Sequence, residues 1–281
     1  MSSDPARRQI ALPNGVVDVV ETGSGDDVII LVHGAASSPH ALGRLAGRLA
    51  ADGWRVLVPA LDGYGTTRMH GPGDPVARNT AMLLGVRAGI TARRVAVIGH
   101  SMGGLVALAA LRAGMAAAAA MVWEPVAFGA LDVTDPAQRD ARDWDRAVVA
   151  SMAAHMAYGD AEAGVAAFIE AWNDQAWADI PPAVRAGLVA IGPRLAADVV
   201  AVSRDVTPAA SYAAITIPIL VLCGSRSPPA AQMICQRLAA VLPAATLVAL
   251  EGLGHMAPVM QPGAVHACMQ QYLAVLGAAQ A

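Results

Sequence analysis

Cysteine is scarce: the 281-residue chain holds only Cys223, Cys235 and Cys268. Three cannot all pair, and their scatter fits neither a zinc site nor a redox motif. Reduced, mostly buried thiols are expected. Long apolar runs are also lacking. The longest, Met115 through Trp123, is too short to cross a bilayer. The hydrophobic fraction of 56% and mean hydropathy of +0.47 look membrane-like, but alanine supplies much of both. The N-terminal Met1–Arg8 has no apolar signal core, so a soluble, cytoplasmic protein is expected. Net charge is small, −3 with a pI near 6.1, which argues against nucleic acid or acidic membranes as partners. The seven histidines and the acids form no His-x-x-x-His or clustered carboxylate pattern, so no metal is expected. No Gly-rich phosphate loop with a lysine occurs, so no nucleotide or other cofactor is implied. Carboxylates thin out late in the chain. From Val206 onward there is no aspartate, and Glu251 is the only glutamate.

What is present is an alternation of apolar, β-rich runs with helical patterns. Gln9–Leu12, Val16–Val20, Val28–Val32, Arg55–Val58, Arg94–Ile98, Ala119–Trp123, Ile219–Leu222 and Thr246–Leu250 read as strands. Pro39–Ala51, Pro75–Val86, Leu105–Leu111, Pro229–Leu242 and Val259–Leu276 read as helices. Such alternation implies an α/β fold, a mainly parallel doubly wound sheet covered on both faces. The alternation breaks between about Pro125 and Pro208, where amphipathic helical stretches occur without a clear strand. This segment is expected to be a helical lid, residues 125–208, inserted between two late strands. Residues 1–124 and 209–281 then form the core. The charged stretch Arg139–Arg146 reads as a solvated helix face.

Four of the five tryptophans and both phenylalanines lie at the mouth of this insertion or inside it. Trp123, Phe128, Trp144, Met152, Phe168 and Trp172 are therefore candidate walls of an apolar substrate pocket. The same bulky groups could instead anchor a small helical layer on the sheet.

The chemistry centres on Gly99-His100-Ser101-Met102-Gly103, which joins an apolar strand pattern to a helical one. A serine at so sharp a turn has its hydroxyl pushed out of the sheet, and flanking glycines avoid Cβ collisions. Serine needs a base. His255, in Gly252-Leu253-Gly254-His255, follows the last strand, where loops of a parallel sheet gather beside the Ser101 turn. His100 lies inside the turn, where the geometry should point it away. His33-Gly34-Ala35-Ala36 follows another strand. The amides of Ala35 and Met102 are the candidate oxyanion donors.

These stretches, with Asp62-Gly63-Tyr64-Gly65-Thr66 and in this order, make the chain resemble the α/β-hydrolase fold superfamily, of the lidded serine hydrolase or esterase-like kind. The resemblance spans nearly the whole chain. It implies an aspartate in the loop after Ile219–Leu222, yet Ser227 stands there. Glu124, at the end of Ala119–Trp123, is the substitute. A branch similar to haloalkane dehalogenases carries its acid at this strand end, although those proteins use an aspartate nucleophile. Glu251 and Asp205 are rivals, and a Ser–His dyad is a further alternative.

The expected activity is cofactor-independent cleavage of a carboxylic ester or related acyl bond through an acyl-enzyme. The expected partner is a small apolar ester-like substrate, with the chain a monomer or homodimer. The same machinery could serve a lactone or C–C bond hydrolase or a perhydrolase. A non-catalytic small-molecule-binding protein on a hydrolase scaffold is the alternative from another class.

Overall fold

The computed structural model describes residues 5–173 and 175–278, with side chains up to 273. The N-terminal residues 1–4 of the leader reading lie outside the described residues. Strands β1 (Ala6–Leu12) and β2 (Gly15–Thr22) form an antiparallel hairpin. The parallel part of the sheet is built from β3 (Val28–Val32) and β4 (Arg55–Pro59), which β2 joins antiparallel. A two-residue strand, β5 (Arg68–Met69), pairs with β2. Strands β6 (Val95–His100), β7 (Ala119–Trp123), β8 (Ile219–Gly224) and β9 (Ala245–Leu250) complete the sheet. Its order is β1-β2-β4-β3-β6-β7-β8-β9, parallel from β4 onward.

Helices α1 (Gly43–Ala51), α2 (Pro75–Ala88) and α3 (Met102–Arg112) connect the first strands. Between β7 and β8 come α4 (Pro136–Ala157), α5 (Ala161–Trp172), α6 (Pro182–Ala190) and α7 (Gly192–Ser203), with no strand among the described residues. The chain ends with α8 (Pro229–Val241), α9 (Ala257–Met260) and α10 (Pro262–Ala278). No single helix among the described residues is long and apolar enough to cross a membrane.

Strand period sorts the core into two layers. Val28, Ile30 and Val32 of β3 face α2, α3 and α8, with Met82, Val106 and Ile234. Ile29 and Leu31 face the other way, onto Leu45 and Leu49 of α1 and Val265 and Met269 of α10. The inserted helices carry a third cluster of their own, including Met152, Val165, Ile169, Leu195 and Val199. Helix starts are set by side chains and proline. Asp74, Asp135 and Asp160 accept backbone N–H bonds at the starts of α2, α4 and α5. Pro75 and Pro136 occupy first-turn positions where a missing N–H costs nothing.

Three local expectations need correction. The last helix is not continuous from Val259. It breaks at Gln261, because Pro262 has no N–H and starts a new helix. The stretch before Ala51 begins as a single 3-10 turn, His40–Leu42, ahead of α1. The charged stretch of α4 is only half solvated: Arg142 and Asp145 are buried, and Arg142 donates to the Asp205 carbonyl at 2.7 Å. A helix packed on both sides must bury part of any charged run.

Candidate active site

Adjacent strands β6 and β7 deliver two of the predicted residues to one sheet edge. His100 is registered against Trp123, and Ser101 N–H donates to the Trp123 carbonyl at 2.9 Å. Ser101 and Glu124 thus leave neighbouring strand ends side by side. Both turn sharply, with φ of 55° and 45°. Left-handed backbone costs a side-chain-bearing residue about 1–2 kcal/mol, so the surrounding packing must hold these turns.

The glycines explain how it does. A Cβ on Gly99 would lie 2.5 Å from the Gly103 carbonyl oxygen, and one on Gly103 would lie 2.4 Å from those of Val32 and His33. Helix α3 can therefore press directly on β3. A Cβ on Gly34 would come within 3.0 Å of the Ser101 Cβ, so the His33–Ala36 loop passes against the nucleophile candidate.

Glu124 is fully buried and its carboxylate accepts three hydrogen bonds. Oε2 takes Nδ1–H of His255 at 2.7 Å. Oε1 takes the Gly224 amide at 2.7 Å and the Ser227 hydroxyl at 2.5 Å. Burying a carboxylate is costly unless its oxygens find such donors. With Nδ1 protonated toward Glu124, neutral His255 presents a lone pair on Nε2. Among the described residues none hydrogen-bonds that nitrogen, Ser101 included.

The loop bearing His255 is pinned through its backbone. The His255 carbonyl accepts Nε2–H of His100 at 2.9 Å and Nε1–H of Trp123 at 3.1 Å. His100 is therefore not aimed away, as the turn geometry suggested. Its ring centroid lies 5.0 Å from that of His255. Burial, reinforced by His255, pushes the His100 pKa well below the usual value, so it serves as a neutral donor.

The His33–Ala36 loop is fixed in the same manner. His33 accepts the Leu61 amide at Nε2 (3.1 Å), which leaves Nδ1–H to donate to the Gly34 carbonyl (2.7 Å). Burial lowers its pKa to about 4. Ala36 has φ 53° and donates its N–H to Tyr64 Oη at 3.0 Å. The Tyr64 hydroxyl in turn donates to Asp198 of α7 at 2.9 Å, and Arg194 completes the network to Asp198 and Asp62. Among the described residues, the Ala35 and Met102 amides donate to no protein acceptor. Met102 opens α3, where the first N–H groups have no helical partner.

Neither rival acid bonds His255 among the described residues. Asp205 accepts the Gly129 and Thr207 amides, and Glu251 is exposed.

The expected pocket residues divide. Trp144 and Trp172 line a cleft of about 600 Å³ between the inserted helices and the loop after β8, with Ser227, Pro228 and Met233. Ser101 and His255 are not among its walls. Trp172 borders both regions, its ring 4.7 Å from the His255 imidazole. Trp123 is corrected: strand period sends it to the opposite layer, with Met121 and Leu222, where its N–H holds His255. Met152 belongs to the core of the insertion. Phe128 is buried in the main core, edge-on to Trp172, and half-buried Phe168 packs between the main and inserted cores. No group of three or more His, Cys, Asp or Glu among the described residues could hold a metal ion.

Sequence reasoning does not reach Tyr64, Asp198 or the duties of Trp123 and Ser227. Tyr64 lies in a quoted motif, but its partner is 134 positions away. Ser227 carries one signal, its place in the loop where an acid is expected.

This architecture is that of a hydrolase family. The chain belongs to the alpha/beta hydrolase family, whose pattern it matches over residues 29–267. It is similar to an alpha/beta hydrolase from Sphaerobacter thermophilus, with 25% identity, coverage of 95% of this chain and 100% of that one, and a TM-score of 0.71. An esterase from Thermogutta terrifontis shares 22% identity over 96% and 99% of the two chains, with a TM-score of 0.70. The 2-hydroxy-6-oxo-6-phenylhexa-2,4-dienoate hydrolase of Rhodococcus sp. strain RHA1 shares 18% over 97% and 99%, with a TM-score of 0.74. No curated protein matches the sequence.

Proposed function

We propose that this protein is a cofactor-independent serine hydrolase that cleaves a carboxylic ester or a closely related acyl bond. One observation carries the reading: Glu124 and His255, 131 positions apart, meet at 2.7 Å beside the strained Ser101 turn. In this mechanism Ser101 Oγ attacks the acyl carbon as His255 Nε2 takes its proton. Glu124 holds the Nδ1 proton and offsets the imidazolium charge. The Ala35 and Met102 amides bind the oxyanion, aided by the α3 dipole. The imidazolium then protonates the leaving alkoxide, and an acyl-enzyme remains. Water activated by His255 releases the acid. In this reading the bond between nucleophile and base forms in the substrate complex, since such pairs are often loose without substrate.

The Trp144–Trp172 cleft supports a small or medium apolar substituent on the substrate, within the usual range of ligand pockets. The inserted helices act as its lid in this reading.

The test is labelling by a fluorophosphonate, followed by turnover of p-nitrophenyl esters over an acyl-chain series, a lactone and a diketone. Rapid labelling that vanishes in Ser101→Ala, with turnover best on apolar esters, is the expected result. Labelling that persists in Ser101→Ala would overturn the nucleophile. Absence of both labelling and turnover would favour a binding protein on this scaffold.

A further inference from the structure

Ser227 occupies the loop after β8 and is 5% exposed. Its hydroxyl donates to Glu124 Oε1 at 2.5 Å. The carboxylate can only accept, so the direction of this bond is fixed. The loop itself is set by two further bonds. Ser227 N–H donates to the Gly224 carbonyl at 3.2 Å, and Gln232 of α8 donates to the Ser227 carbonyl at 2.8 Å.

A glutamate has one more rotatable bond than an aspartate, and Glu124 starts from a strained backbone. Its carboxylate must still present one oxygen squarely to His255. The Gly224 amide alone would fix one point on Oε1. The Ser227 hydroxyl adds a second, so the plane of the carboxylate is set and Oε2 faces Nδ1. We propose that Ser227 is a positioning residue for the acid, resting on the serine hydrolase reading above. It keeps Glu124 oriented from the loop where the related fold is expected to place the acid itself. It touches neither substrate nor reacting atoms and acts only through Glu124.

The experiment is a double-mutant cycle read by the rate of fluorophosphonate labelling and by kcat and KM for a short-chain p-nitrophenyl ester. Ser227→Ala is expected to lower labelling and kcat about 10- to 100-fold, the scale of one lost charge-assisted hydrogen bond, with KM little changed. Ser227→Thr keeps the hydroxyl and should restore most of the rate. In a Glu124→Gln background, Ser227→Ala should cost nothing further, because the group it serves has already lost its charge. A Ser227→Ala rate within twofold of the parent overturns the proposal. So does an equal loss in both backgrounds, which would mark a general packing effect. A Glu124→Gln variant with parental rates would instead sink the triad reading, and this proposal with it.

Discussion

Oε2 of Glu124 lies 2.7 Å from Nδ1 of His255, and neither side chain is more than 5% exposed. This bond selects the tautomer that leaves Nε2 free to accept a proton. Glu124→Gln keeps the shape but can turn an N–H toward Nδ1 and favour the wrong tautomer. The expected outcome is a fall in kcat of about 10³–10⁴-fold, as for acid substitutions in such triads. Steady-state kinetics on a short-chain ester measures this. The far-ultraviolet circular dichroism spectrum should be unchanged. Parental turnover in Glu124→Gln, with loss in Asp205→Asn or Glu251→Gln, would relocate the acid.

Tyr64 joins Ala36 to Asp198 through one hydroxyl. Tyr64→Phe removes an acceptor from a loop amide and a donor from a fully buried carboxylate. Loss of a buried partner of this kind costs about 1–3 kcal/mol. Thermal unfolding should show a lower midpoint by several degrees. kcat should also fall, by less than the roughly 10²–10³-fold that follows removal of an oxyanion donor itself. An unchanged midpoint would mean that water replaces the phenol at no cost.

Asp145 of α4 is 2% exposed, and its Oδ2 lacks a hydrogen-bond partner. Burial raises its pKa from 3.8 to about 6, against partial relief from Ser203 and Arg142. The folded state therefore holds this proton more tightly than the unfolded chain. The penalty on stability is full above pH 6, fades as pH falls through 6, and is gone below 3.8. Asp145→Asn should raise stability at pH 8 by at most about 3 kcal/mol, and by little near pH 4. Denaturant unfolding at the two pH values checks both size and sign. A gain that is equal at both would exclude titration of Asp145 as its cause.

Much of this fold is legible because its central strands are buried on both faces. Val28–Val32 and Ala119–Trp123 have the bounds read from their apolar runs. The strand-turn-helix around Ser101 is legible for a second reason: only glycine fits where α3 meets β3. The meeting of Glu124 with His255 can be reasoned from strand ends, since a parallel sheet collects them at one edge. Trp123 misleads because its place near the insertion suggests a pocket, while strand period decides its face. Arg142 and Asp145 mislead because charge alternation does not reveal which face of α4 will be covered. The contacts Tyr64–Asp198 and Ser227–Glu124 are not legible, although the place of Ser227 is a signal, for a simpler reason. Each is a polar contact between distant segments, and no local pattern encodes it.

Ser101 and Glu124 are coupled by the backbone hydrogen-bond ladder between β6 and β7, whereas His255 arrives from beyond β9. The two halves of the proposed machinery thus come from segments far apart in the chain. On the serine hydrolase reading, an intermediate holding only the central strands would present Ser101 and Glu124 without His255 between them. Regain of activity during refolding is then expected to follow the seating of the final segment, and to lag a signal from the interior alone.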